Sequence, residues 1–302
     1  MTVQKKYKTF HPYREGFVIV LLALLTLVGC GDSSSGDQEQ VDRFDARAAY
    51  ALVEEQVGYG QRPAGSPQLR RLAVELRRSM PNGSFEAIPG DPLLRNVVGT
   101  LPGREPGIVV GAHYDTLVKP RGFVGANNGA AGSAVVIEAA RALRQAPAGG
   151  EGRKVSFVLF DGEEPPAGLP EESADFYNEG LRGSRAYVKA HPGETSAMIL
   201  LDYVGNRGLY LPREASSTEE LWSRLLIAAE AVGAQRFFSG EAGPEIIDDH
   251  TPFLRSGAPA VDLIDWSYPG HSLADGLDKI SRQSLDGVGE TVIQLVEELR
   301  AE

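Results

Sequence analysis

Cysteine is almost absent. The chain has 302 residues and one cysteine, Cys30, so no disulfide can form within it and its stability must come from a buried core. Basic residues are outnumbered, 30 Lys and Arg against 41 Asp and Glu, for a net charge of −11. The acids are spread along the chain rather than gathered into a tail. No basic cluster of the kind that grips phosphates follows the first few residues, so a nucleic-acid partner is excluded. Apolar runs of membrane-spanning length are also missing. The longest, Gly16 to Val28, is too short for a comfortable transmembrane helix.

What that run does have is context. Lys5, Lys6, Lys8 and Arg14 precede it, and Leu27-Val28-Gly29-Cys30 closes it, followed by Gly31-Asp32-Ser33-Ser34-Ser35-Gly36. A basic leader, a short apolar core and small residues before a lone cysteine read as an export signal with a bacterial lipobox and a flexible tether. Residues 1–29 are therefore expected to be a signal peptide and 30–40 a tether. A lipid on Cys30 would hold the exported protein to the membrane of the bacterial cell envelope without spanning it.

The rest, 41–302, reads as one domain. Helical periodicity covers Val41 to Val57, Gln68 to Met80, Ala130 to Leu143, Leu181 to Ala190, Thr218 to Val232 and Leu285 to Leu299. Between them lie short apolar runs at Asn96 to Val98, Ile108 to Val110, Val155 to Phe160, Met198 to Leu201 and Pro259 to Ile264, the pattern of strands buried on both faces. The alternation predicts an α/β fold with a largely parallel sheet covered on both sides. In such sheets ligands sit beyond the carboxyl ends of the strands.

The chemical residues fall there. His113 and Asp115 follow one strand, Glu163 and Glu164 another, Asp202 a third; Asn128 opens a helix and His271 precedes the closing one. Burying several imidazoles and carboxylates together is costly unless something pairs with them. A divalent cation does so, and His with Asp or Glu oxygens suits zinc. Asp115 is placed to hold the His113 imidazole in one tautomer. Singly, each residue has a plainer reading: a strand-end histidine satisfied by its neighbours, a solvated Glu pair, a His250 that caps the short helix Thr251 to Arg255. His11 is assigned to the signal and His191 to a helix end.

The segments GAHYDT, GANNGAAGSAVVIEAARAL, VSFVLFDGEE, GLRGSRAYV, ILLDYVG, DDHTPFLRSGAPAVDLID and GHSLADGLDKIS resemble the glutaminyl-peptide cyclotransferases and their bacterial relatives, which stand with the family-28 zinc aminopeptidases. The resemblance runs in order from about Gly60 to the C-terminus. It implies a three-layer α/β/α sandwich around a mostly parallel, mixed, twisted sheet of the zinc-exopeptidase type. It also implies zinc ligands at Asn128, Glu164 and His271, a proton shuttle at Glu163, and hydrogen-bonding partners for that shuttle at Asp202 and Asp248. In the two-metal aminopeptidases His113 and Asp202 complete a second site, and the residue at position 128 bridges both ions.

Two departures bear on function. The family has Asp where this chain has Asn128, and usually Trp where it has Gly270. An amide bridges two cations poorly, so one zinc is expected rather than two. The loss of Trp removes a wall of the substrate pocket, for which Trp266 is the nearest replacement. Three readings follow. The first is a zinc-dependent acyltransferase that cyclises the N-terminal glutamine of peptides and proteins. The second is a zinc aminopeptidase-type hydrolase. The third is a metal-poor binding lipoprotein.

Overall fold

The computed structural model describes residues 42–145, 152–166 and 175–302. The signal peptide, Cys30 and the tether expected from the sequence lie outside the described residues. Among the described residues, no helix is long and apolar enough to cross a membrane.

Strands β1 (Ser84–Ala87), β2 (Arg95–Leu101), β3 (Arg104–His113), β4 (Arg153–Phe160), β5 (Thr195–Asp202) and β8 (Ala260–Ile264) form one sheet in the order β1-β2-β4-β3-β5-β8. β4, β3, β5 and β8 run parallel, whereas β1 and β2 are antiparallel to their neighbours. The sheet is thus mixed. The apolar run at Asn96 to Val98 lies in β2, the one strand of this sheet that runs against the rest. A separate pair, β6 (Leu211–Arg213) and β7 (Phe238–Ala242), lies outside this sheet.

The helices are α1 (Ala46–Gly58), α2 (Pro67–Ser79), α3 (Gly132–Gln145), α4 (Phe176–Glu179), α5 (Arg182–Ala190), α6 (Glu219–Ala231), α7 (Thr251–Arg255) and α8 (Arg282–Ala301). Their starts follow local chemistry. Ser66 Oγ accepts from Leu69 N ahead of Pro67 at the first turn of α2, and Ser281 does the same for Ser284 N at α8. Alternation along the strands sorts the core into two layers. Val97, Val110, Phe157, Ile199 and Leu263 pack with α1, α2, α3, α6 and α8. Val98, Val109, Val158, Met198 and Leu200 face Tyr187 of α5 and Phe253 of α7. This is the expected α/β/α sandwich.

Parallel direction positions the site. The carboxyl ends of β3, β4, β5 and β8 share one edge, with His113 opposite Phe160 and Asp202 opposite Ile264 in register. Everything that follows these four strands therefore opens at one side of the sheet.

Candidate metal centre

His113, the last residue of β3, is buried at the middle of this edge. Its Nε2 lies 3.5 Å from Asp202 Oδ1 at the end of β5, and its Nδ1 lies 3.8 Å from Glu163 Oε2 beyond β4. Asp115 Oδ1 faces Nδ1 at 3.6 Å, an ion-pair distance just beyond that of a hydrogen bond, on the side of the ring where the sequence placed it. Asp115 also serves the backbone: its two oxygens accept from Glu163 N and Glu164 N, each at 3.3 Å. It thereby fixes the turn that aims both glutamates inward. Arg182 Nη2 donates to Glu164 O at 3.0 Å, and Leu181 N to Glu163 O at 3.0 Å, so α5 clamps the same turn from outside.

Asn128 arrives from a kinked π turn spanning Ala126–Ala131. Gly129 adopts φ 84°, where a Cβ would meet Asp115 O at 2.7 Å, so only glycine fits after Asn128. Asp275 holds the loop with its two oxygens, accepting Asn127 N at 2.9 Å and Asn128 N at 3.0 Å. Arg62, buried beneath, donates to Val124 O and, at 3.0 Å, to Gly125 O. Neither residue was singled out from the sequence. Asp275 lies in the same GHSLADG segment as His271, which was its available signal.

The Asn128 amide nitrogen donates to Glu164 Oε1 at 2.9 Å and to the Tyr203 hydroxyl at 3.4 Å, while its Oδ1 is buried without a hydrogen-bond partner. His271 is close enough to Glu164 to favour its charged form, and its ring meets Tyr203 edge-on at 5.9 Å. Asp248 stands in front of α7, where its Oδ1 accepts Asp249 N at 2.5 Å.

The electrostatics are those of acids crowded out of water. Burial pushes Glu163 well above the usual carboxylate range, with Glu164 and then Asp248 adding to it and His113 opposing. Burial likewise lifts Glu164 to about 7 and Asp248 to about 6, the latter helped by Asp202. Burial alone would lower the His113 pKa, but Asp115, Asp202 and Glu163 outweigh it and hold it well above the usual value. Burial and adjacent Glu164 thus act on Glu163 ahead of Asp248, one of the hydrogen-bonding partners that the resemblance implies for it.

The donor set fits a divalent cation. One ligand atom each from His113, Glu163 and Glu164 lies within 4.8 Å of the others. Two buried atoms of the cluster, His113 Nδ1 and Asn128 Oδ1, have no hydrogen-bond partner within the protein, and buried polar atoms are rarely left so. Asn128, Glu164, His113, Glu163, Asp202 and Asp248 are joined by these contacts or charge interactions, and His271 adjoins them through Glu164 and Tyr203. His250 behaves otherwise: it makes no side-chain cap to α7. Its Nε2 faces Ser216 Oγ at 2.9 Å and Glu214 Oε2 at 3.2 Å. His191 ends α5 between Glu86 and Glu194, away from the cluster.

Beside His271 a cavity of about 370 Å³ is lined by Tyr203, Trp266, Tyr268 and Gly270. Gly270 does not leave a gap. A Cβ there would meet the Tyr203 ring at 2.4 Å, so Tyr203 occupies that space, and Trp266 packs on Tyr203 at 6.3 Å between centroids.

Residues 96–296 match the model of peptidase family M28. A curated relative, the glutaminyl-peptide cyclotransferase of Bos taurus, is 26% identical over 228 residues, covering 65% of this chain and 63% of the relative. Aminopeptidase YwaD of Bacillus subtilis (strain 168) is 28% identical over 215 residues, 65% of this chain and 42% of that protein. The chain thus spans at most about three-fifths of these two relatives. Among solved structures, Porphyromonas gingivalis glutaminyl cyclase superposes with a TM-score of 0.73 at 28% identity, covering 85% of this chain and 99% of that one. With a matched segment that begins in β2, ends in α8 and contains His113, Asn128, Glu163, Glu164, Asp202, Asp248 and His271, the chain belongs to peptidase family M28.

Proposed function

We propose that this protein is an exported, zinc-dependent glutaminyl-peptide cyclotransferase, held to the cell envelope by a lipid on Cys30. The observation that carries the reading is the buried group of Glu163, Glu164 and His113, with Asn128 and His271 beside Glu164, at the open edge of the sheet. The similarity to cyclotransferases and glutaminyl cyclases supports the same choice.

Asn128 Oδ1, Glu164 and His271 would hold the ion. When bound, zinc supplies Lewis acidity toward the carboxamide of the substrate glutamine. Glu163, raised by burial, takes a proton from the substrate's α-amine. The amine nitrogen then bonds to the side-chain carboxamide carbon, the carbon–nitrogen bond breaks, and Glu163 returns the proton to the departing ammonia. No water enters, because nucleophile and electrophile belong to one residue held in place. Asp115 keeps Glu163 pointed inward through its backbone N–H, and Asp248 biases it toward the protonated form.

One observation favours a second reading. His113 Nε2 and Asp202 Oδ1 stand 3.5 Å apart, as a second ion's ligands would, and the chain resembles an aminopeptidase. A neutral Asn128 is a poor bridge between two cations, which ranks hydrolysis below cyclisation.

Two isosteric variants test the roles. Glu163→Gln keeps shape but cannot titrate, so turnover of a glutaminyl reporter peptide should fall at least roughly 100-fold with zinc content unchanged. Glu164→Gln should lose zinc first. If Glu163→Gln emptied the site while Glu164→Gln kept its ion, the roles proposed here would be reversed.

A further inference from the structure

The cavity beside His271 has one continuous aromatic wall, and Tyr203 is its centre. The Tyr203 ring centroid lies 5.7 Å from Tyr268, 6.3 Å from Trp266 and 5.9 Å from His271. Two features set it there. The Tyr203 backbone takes φ 45°, a region that residues with a Cβ seldom enter, which turns the ring away from the path of β5. Gly270 then leaves room for it: a Cβ at 270 would meet Tyr203 Cζ at 2.4 Å and its hydroxyl oxygen at 2.6 Å. This position of the tyrosine at 203 therefore requires glycine at 270.

The wall runs from the acidic cluster to solvent. At its inner end the Tyr203 hydroxyl accepts from Asn128 Nδ2 at 3.4 Å. At its outer end Trp266 is 49% exposed, a large apolar surface that a ligand would cover. Tyr268, packed on Tyr203, is anchored by donating to Asp275 Oδ1 at 2.8 Å. The same carboxylate holds the backbone of Asn127 and Asn128, so the wall and the ligand loop share one support.

We infer that this wall determines specificity for the residue that follows the N-terminal glutamine, and that it selects an aromatic side chain there. The inference rests on the cyclotransferase reading above. With the glutamine's amine at Glu163 and its carboxamide at the Asn128, Glu164 and His271 group, the rest of the peptide leaves toward the open end. Its next side chain meets Trp266 and Tyr268. The three rings lie at mutual tilts of 38° and 52° about Tyr203, presenting both faces and edges. An aromatic side chain gains stacking against such a surface, and glycine gains none.

The experiment uses zinc-loaded Glu163→Gln protein, in which turnover does not obscure binding, and titrates it calorimetrically with the amides of Gln-Phe and Gln-Gly. Gln-Phe amide should bind about tenfold more tightly. The ratio should fall toward one when Trp266→Ala is added, a change at a half-exposed position that leaves the core untouched. Gly270→Ala, which expels the Tyr203 ring, should lower the ratio as well. Equal binding of the two amides, or a preference that survives Trp266→Ala, would overturn the assignment. Wild-type turnover of both amides is followed in parallel. A Gln-Phe preference with neither amide cyclised upholds the wall and refutes the cyclisation reading. Cyclisation of both with equal binding does the opposite.

Discussion

Asn128 is the residue on which the centre turns. Its amide nitrogen satisfies Glu164 Oε1 at 2.9 Å, which an aspartate could not do. Asn128→Asp would set two carboxylates against each other in a buried site, where repulsion is large unless a cation lies between them. The variant should therefore melt lower than wild type in the presence of a chelator. It should also bind zinc more tightly, by on the order of tenfold, so that zinc shifts its melting temperature further. Unchanged zinc affinity and an unchanged chelator effect would remove position 128 from the ligand set. Gly129 follows Asn128, and spontaneous deamidation of this pair would mimic the substitution, so the intact mass of each sample belongs with the titration. Much of this centre was legible as strand-end residues of the right type. The partners were not. The neighbours of Asn128, namely Tyr203, Glu164 and Asp275, come from three other segments, and no local pattern marks which side chains meet once the strands align.

At the scale of elements, the strand and helix runs were legible because burial on two faces and amphipathic periodicity each leave their mark on sequence. Strand direction leaves none, so the reversed β2 was not separable from the parallel set. β1 and β6 escaped notice because they are short and partly exposed. The junction after β6 carries a linkage of its own. Glu214 Oε1 accepts Ser216 N at 2.9 Å and Ile246 N at 3.0 Å, and Oε2 accepts Ser217 Oγ at 3.0 Å beside His250. Burial would raise its pKa, but the hydrogen bond with His250 first, then those from Ser216 N and Ile246 N, outweigh it and hold it at about 2. The unfolded chain takes up that proton near pH 4.3. Glu214 thus stabilises the fold fully above about pH 4.5, and the contribution is lost as pH falls toward 2. Glu214→Gln should melt lower than wild type at neutral pH, with the difference shrinking as the medium is acidified through that window. A difference independent of pH would show that the charge of Glu214 contributes nothing.

For the whole molecule, location and activity are separate claims. Lipid on Cys30 predicts that the protein fractionates with membranes and that Cys30→Ser releases it or blocks its processing. Wild-type protein found entirely in the soluble fraction would end that claim while leaving the active-site account intact. The activity claim rests on one chemical distinction between two reactions that use the same glutamate. Cyclisation expels ammonia and takes up no water, whereas hydrolysis adds a water oxygen to the product. The decisive measurement is mass spectrometry of a peptide with N-terminal glutamine, incubated with zinc-loaded protein in water enriched in heavy oxygen. The account predicts a product lighter by one ammonia, intact along its length and free of the label, and no such product from chelator-treated protein. Loss of the first residue with label in the liberated carboxylate would contradict it and make the protein an aminopeptidase.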